Sequence, residues 1–450
     1  MSAFAVDHVI RAPLAVVDGM VRPAAIGLSD GMIRVIGELD AVFDTAAHTV
    51  LGDDVVLLPG MVDTHVHIDE PGTDWEGFAS ATAAALAGGI TTVVDMPLDC
   101  DPVTTTVDAL VAKRAVAQGV CRVDTGFWGG IVPDNLTTFG ELAAAGVLGF
   151  KCFLSESGNP HFPPLRPEQF GRAMAMVAEL DSVLLVHAES ARVLDDCPPT
   201  AGRDYASFLA SRPDAAEEDA VGMVLDAVAE TGARAHIVHV SSARVLPMIA
   251  QAKRAGLPVT AETCPHYLTF AAEDIADGAT QFAACPPIRG VDNRELLWAA
   301  LADGTLDMVV SDHSPCAIEL KDLAGGDFGR AFGGISSLQL ALSALWTRAR
   351  DAGFGLADIC RWMAQRPAEL AGLTDRGTIT AGRRADFCVF DPDAQWVVHT
   401  EDLLHRQPVT PYAGLTLTGS VRQVWRGGRL ADEHGRGTLV SAPTRIGEPV

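Results

Sequence analysis

From Pro59 to about residue 315, short runs rich in Val, Ile and Leu alternate with Ala- and Leu-rich stretches of helical period. That alternation leaves few folds open, because strands separated by crossover helices pair in parallel. The apolar runs predict strands near 61–68, 91–97, 123–131, 149–154, 182–189, 234–242, 258–265 and 307–315. Helical patterns lie between most of them, at 76–88, 104–119, 136–145, 167–180, 214–231, 243–255 and 292–303. Eight strands with intervening helices over this length predict a (β/α)8 barrel.

The two ends have a different texture. Residues 1–58 hold short β-type runs broken by turns, such as 15–19 and 32–36, and no convincing helix. Short strands return after about residue 375, in 377–391, around Val397, over 419–427 and over 435–440. The expected layout is an α/β chain with a TIM-type barrel at 59–375 and a small β-sandwich formed jointly by 1–58 and 376–450. A hydrophobic share of 48% against 20% charged residues supports a core of that size.

Charge removes some function classes. A formal net charge of −25 argues against a nucleic acid or an anionic membrane surface as partner. No apolar run reaches membrane-spanning length, and Asp7, Arg11 and Asp18 interrupt what would be a signal-peptide core. The nine cysteines are scattered without a CxxC pair, as expected of reduced thiols, so a cytoplasmic protein is predicted.

Chemistry-bearing residues recur where the predicted strands end. His65 and His67 lie two apart in MVDTHVHI, so a strand there puts both imidazoles on one face, a chelate for a borderline metal. Lys151 sits in GFKCF on the fourth strand, His187 follows VLLV on the fifth, His239 follows IV on the sixth, and Asp312 follows DMVVS on the eighth. Taken singly, a histidine at a strand end is more often a satisfied polar residue than a ligand. Lys151 among Phe150, Cys152 and Phe153 is odder, since a buried ammonium needs pairing, modification or deprotonation. In a barrel all these ends converge on one face, where active sites are built.

These motifs resemble those of the cyclic amidohydrolases of the amidohydrolase superfamily, most closely the allantoinase branch. The likeness covers essentially the whole chain and is densest in PGMVDTHVHIDEPG (59–72), GFKCFLSESG (149–158), LLVHAE (184–189), HIVHVSSA (236–243), TAETCPHYL (260–268), CPPIR (285–289), SDHSPC (311–316) and FGGISSLQ (332–339). It implies a centre of two divalent metal ions, zinc first, with cobalt, manganese and nickel as alternatives. His65, His67, a CO2-derived carbamate on Lys151, and Asp312 would bind one ion; the carbamate, His187 and His239 would bind the other. A hydroxide shared by the two ions would be the nucleophile, with Asp312 as general base and then general acid. Backbone around Cys285, Pro286, Gly333 and Gly334 would meet the substrate's ring amides. The resemblance also implies a small-molecule substrate and a homo-oligomer, dimeric or tetrameric. His266 and His313 belong to the family pattern without being ligands in it.

Ring preference is read from departures. Dihydroorotase-like members usually carry an arginine two residues after the second histidine and an asparagine after the second strand; Asp69 and Asp99 stand there, and both would repel a carboxylate. Hydantoinase and dihydropyrimidinase relatives place a tyrosine just past the lysine, whereas Tyr205, Tyr267 and Tyr412 are all remote from Lys151. The resemblance therefore implies opening of allantoin to allantoate, with hydantoinase, dihydropyrimidinase or dihydroorotase activity as alternatives. A scaffold that has lost catalysis is disfavoured, because all six ligand positions are filled. Allantoinases often have asparagine at positions 69 and 99 and one more residue in the 71–75 turn, and the 159–162 loop also departs from their pattern.

Overall fold

The computed structural model describes residues 4–432 and 435–442. Parallel strands run Met61–Val66, Ile90–Asp95, Asp124–Phe127 with Gly129–Gly130, Phe150–Phe153, Val183–His187, Arg234–Ile237, Val259–Thr263 and Met308–Val309. Each pairs in parallel with its sequence neighbour, and the third joins the fourth through Gly129–Gly130. The third strand breaks at Trp128, whose indole N–H is drawn away to donate to Thr64 O (2.8 Å). A parallel bridge between Val66 and His313, with His67 N–H donating to His313 O (2.8 Å), joins the first strand to the eighth and closes the barrel.

Helices lie where the sequence predicts them, although the 136–145 stretch yields only Gly140–Ala144. The helix Asp214–Thr231 shows why the rest hold. Its N-terminal turn carries Asp214 and Glu217 beside the positive end of the helix dipole, and Gly232 closes it in the left-handed conformation at φ 70°. Beyond the eighth strand the chain adds a helix the sequence reading did not assign, Ala341–Asp351, which buries Leu342, Leu345 and Trp346. No helix among the described residues is long and apolar enough to cross a membrane.

Strands from both chain ends form one eight-stranded sheet. Val56–Pro59, just ahead of the barrel, pairs antiparallel with Phe387–Val397 from the far end, and Ala15 of His8–Val17 bridges Leu57. One apolar cluster gathers Ile10, Ala24, Ile26 and Leu57 with Phe387, Val389 and Trp425, so the two ends share a core. The 435–440 run is the exception. It lies against the third barrel strand, where Thr125 N–H donates to Thr438 O (2.9 Å) and Val440 N–H to Thr125 O (2.8 Å).

Candidate active site

The residues singled out at the strand ends face one cavity of about 280 Å³ at the C-terminal mouth of the barrel. His65, His67, Lys151, His187, His239 and Asp312 line it, together with Cys285, Gly333 and Gly334. Pro286 is not in the lining; its carbonyl instead accepts the Tyr267 hydroxyl (2.7 Å). Asp312 Oδ1 lies 3.2 Å from His65 Nε2 and 3.7 Å from His67 Nε2, so three ligand-type atoms face one point. His187 Nδ1 and His239 Nε2 approach to 2.9 Å on the other side. The rings of His65 and His239, 5.4 Å apart, connect the two groups.

Two of the imidazoles are aimed from behind. His65 donates from Nδ1 to Glu262 Oε1 (2.5 Å), which leaves Nε2 toward the cavity. Glu262 also accepts from His236 Nε2 (2.8 Å). Burial pushes the Glu262 carboxyl up, but His65 and His236 outweigh it and hold the group well below its ordinary range. His187 donates from Nε2 to Glu189 Oε2 (2.9 Å), and Arg212 grips Glu189 at both oxygens, at 3.1 and 2.7 Å. Such outer partners fix the tautomer and ring direction of a metal-ligating histidine. Neither carboxylate was singled out from the sequence. Glu189, two residues after His187, had a local signal in the sequence; Glu262, 197 residues from His65, had none.

The site holds its polar groups in costly states. Burial lowers the His67, His187 and His239 imidazoles below their ordinary value, so they are neutral lone-pair donors. Burial draws the Lys151 amine down to about 8, against the pull of Asp312 and Glu262. Its nitrogen lies 4.9 Å from the Phe153 ring centre and forms no hydrogen bond among the described residues. The Asp312 carboxyl, which burial alone would raise, is held low by His65 and His67 and accepts the Ser314 hydroxyl at 2.8 Å. Asp312 and His239 also have left-handed φ angles of 44° and 40°. Backbone strain of this kind costs about 1–3 kcal/mol per residue and clusters at functional sites.

These observations test whether a metal pair fits. His65 Nε2, His67 Nδ1 and His239 Nδ1 are buried without a hydrogen-bond partner. Buried polar atoms are rarely left so. Neutral imidazoles, a carboxylate and an amine able to become a carbamate form a donor set suited to two divalent cations. The residues fit.

Asp69 and Asp99, where the sequence departs from its family's habit, sit beside this set. Burial raises the Asp69 carboxyl well above its usual range and Asp99 to about 6. Both Asp69 oxygens lack partners, and Asp99 Oδ2 lies 3.6 Å from His67 Nδ1. Asp99 lines the cavity, as do Arg212 and Phe332. His313 lies behind the site, accepting Ser337 N–H at Nδ1 (3.1 Å) with Glu76 3.3 Å from Nε2. His266 is fully buried beside Tyr267, with both ring nitrogens unpartnered.

Comparison with known proteins agrees with this geometry. The model of the Amidohydrolase family matches residues 56–431. An allantoinase of Streptomyces avermitilis is 50% identical over 428 residues, covering 94% of this chain and 95% of that one. An allantoinase of Saccharomyces cerevisiae is 42% identical over 94% of this chain and 93% of its own. Among solved structures, the L-hydantoinase (dihydropyrimidinase) of Arthrobacter aurescens superposes with a TM-score of 0.88 at 27% identity, covering 97% of this chain and 98% of that one.

Proposed function

The chain belongs to the amidohydrolase family, a family of metal-dependent hydrolases, and from that premise we propose that it hydrolyses the hydantoin ring of allantoin to allantoate. The observation that carries this reading is the convergence of His65, His67, Lys151, His187, His239 and Asp312 on one cavity. The identity to allantoinases over nearly the full chain supports the ring assignment. So does the absence of a basic residue at positions 69 and 99 that could pair with a ring carboxylate; burial holds the Asp69 carboxyl in its neutral form, so any repulsion would come from Asp99 alone.

In this reading His65, His67 and Asp312 would hold one divalent cation, zinc first, and His187 and His239 would hold a second. Lys151, as a carbamate, would supply a further anionic ligand. When bound, the cation pair supplies Lewis-acid polarisation of the ring carbonyl and acidifies water to a pKa of about 7. Lys151 is suited to carbamate formation: an amine lowered to about 8 is neutral far more often than an exposed lysine. Its nitrogen attacks carbon dioxide and releases one proton. Asp312 takes the proton of the attacking water at a carboxylate oxygen and delivers it to the departing ring nitrogen. Glu262 and Glu189 hold His65 and His187 in the required tautomers throughout. Main-chain groups around Cys285, Gly333 and Gly334 contact the ring amides, whereas Pro286, outside the cavity lining and with its carbonyl taken by Tyr267, does not.

We further infer a barrel unit at 59–375 flanked by a joint β unit of 1–58 and 376–450, and a cytoplasmic homo-oligomer, dimeric or tetrameric. Nine unpaired cysteines support the compartment. The deciding experiment is metal analysis with a turnover panel of allantoin, hydantoin, dihydrouracil and dihydroorotate. Two metals per chain and the highest kcat/KM on allantoin are expected. A faster dihydrouracil or dihydroorotate would sink the ring assignment, and a metal-free, inert protein would sink the enzyme reading.

A further inference from the structure

Lys321 carries a buried charge that the chemistry above does not use. It ends the short 3-10 turn Ile318–Lys321 that follows the eighth strand, and it is 3% exposed. Its ammonium donates to Phe332 O (2.8 Å), to Gly334 O and to Ala283 O (3.4 Å). Three donors meet three carbonyls, so the group is saturated without a carboxylate. Burial lowers it to about 8, and the ionisable neighbours acting on it are the Cys316 and Cys285 thiols. A site that needed only packing would hold a methionine there at less cost.

The three carbonyls belong to two chain segments that line the cavity, through Ala284 and Cys285 on one side and Phe332, Gly333 and Gly334 on the other. The segments are also stitched together by Gly334 N–H donating to Ala283 O (2.9 Å). They approach so closely that a Cβ on Gly333 would lie 2.7 Å from Cys285 Sγ, and one on Gly334 would lie 2.3 Å from Ser314 O. A trans peptide is planar, with its N–H opposite its C=O. Aiming the Ala283 and Phe332 carbonyls at Lys321 therefore turns the N–H groups of Ala284 and Gly333 away from it. Neither N–H is hydrogen-bonded among the described residues.

We propose that Lys321 is a positioning residue that orients the Ala284 and Gly333 N–H groups as paired donors for an oxygen of the cyclic-amide substrate. The lysine never touches the ring. It fixes two peptide planes in advance, so that binding pays no reorientation cost. This rests on the cyclic-amide reading, and it adds the group that holds that reading's backbone contacts in place.

The test is kept separate from that reading by using whichever panel ring the wild type turns over fastest. Lys321→Met keeps an unbranched chain and removes the charge. We expect two metals per chain as in wild type, and a KM raised about tenfold or more, on the scale of a lost charge-assisted hydrogen bond. kcat should change much less. Dissociation constants for the same ring, measured calorimetrically in an Asp312→Asn background, should rise by the same factor when Lys321→Met is added. Lys321→Ala should show the same KM defect and recover saturably with propylammonium, but not with propanol. An unchanged KM and dissociation constant would overturn the proposal. So would a defect confined to kcat, or loss of bound metal in step with loss of binding, because either would make the lysine a support of the metal ligands. Should Lys321→Met fail to fold, the Lys321→Ala rescue decides: recovery with propanol as well as propylammonium indicates packing alone.

Discussion

Two clusters of buried charge lie at opposite ends of the barrel, and they are built on opposite rules. At the N-terminal end, Asp124 opens the third strand and is 1% exposed. Its carboxylate takes Arg376 and Arg384 at 3.1 Å each on one oxygen, and Arg426 (3.2 Å), Thr438 N–H (2.9 Å) and the Thr438 hydroxyl (3.1 Å) on the other. Both carboxylate oxygens are filled, with Arg426 Nε the one buried atom of the cluster left without a hydrogen-bond partner among the described residues. At the C-terminal mouth, three imidazole nitrogens and both oxygens of Asp69 make no hydrogen bond among the described residues. Buried polarity that is satisfied reads as structure, since Asp124 joins the barrel to the β unit and to the chain's end. Buried polarity that is unsatisfied reads as a site kept ready for ligands.

The sharpest way to break that contrast is at Lys151. Lys151→Ala removes the bridging group and should abolish turnover while releasing much of the metal, because like charges then face one another without an anion between them. Acetate or propionate with excess metal should restore part of the activity saturably. Full activity in the mutant would refute the bridge. Asp312→Asn comes next. It keeps an oxygen donor but cannot take a proton, so kcat should fall about 10²–10⁴-fold with metal retained. Near-normal turnover would show that the proton goes elsewhere.

At the other end the readout changes from activity to stability. Asp124→Ala leaves three guanidiniums facing an emptied pocket, and breaking a buried ion pair in this way costs roughly 3–5 kcal/mol. Denaturant midpoints should drop accordingly, whereas kcat/KM per folded molecule should hold. A catalytic defect without a stability defect would erase the distinction drawn here. Glu262→Gln sharpens it from the site side. Losing the carboxylate behind His65 should weaken metal binding about 10–100-fold, read by competition with a chelator, with little change in melting temperature once metal is saturating.

The first of these residues were legible in the sequence, and the later ones were not, for a physical reason. Strand period and Val/Ile content locate His65, His67, His187 and Asp312, and the parallel topology then gathers them, because every strand end of a barrel points to one mouth. Glu262 acts on His65 from a strand distant in the chain, and Lys321 acts through carbonyls, which carry no sequence signature at all. The same limit applies to the ends. Alternating runs at 32–36 and 377–391 announce strands but not partners, so the pairing of Val56–Pro59 with Phe387–Val397 is visible only in three dimensions. The 435–440 run shows this most clearly, since its β-type pattern is satisfied by a barrel strand instead of the β unit.

The smallest expected effect is a pH dependence, and its sign follows from the Asp124 cluster. Burial would raise this carboxyl, but Arg384, Arg376 and Arg426, with the Thr438 N–H, outweigh it and depress the folded-state pKa. In the unfolded chain the group has an ordinary value near 3.9. A depressed carboxylate contributes stability that is complete above the unfolded value and is lost as pH falls through the folded one. Asp124→Asn has no proton to gain, so it lacks this contribution at every pH. The stability gap between wild type and Asp124→Asn should therefore be constant from neutrality down to about pH 5, then narrow as the medium becomes more acidic. Because the comparison is a difference, other depressed carboxylates such as Glu189 and Glu262 cancel from it. Urea midpoints for both proteins across that range provide the measurement. A gap that stayed constant or widened toward acid would mean that the arginines do not hold the charged carboxylate, and the cluster would lose its standing as the satisfied counterpart of the active site.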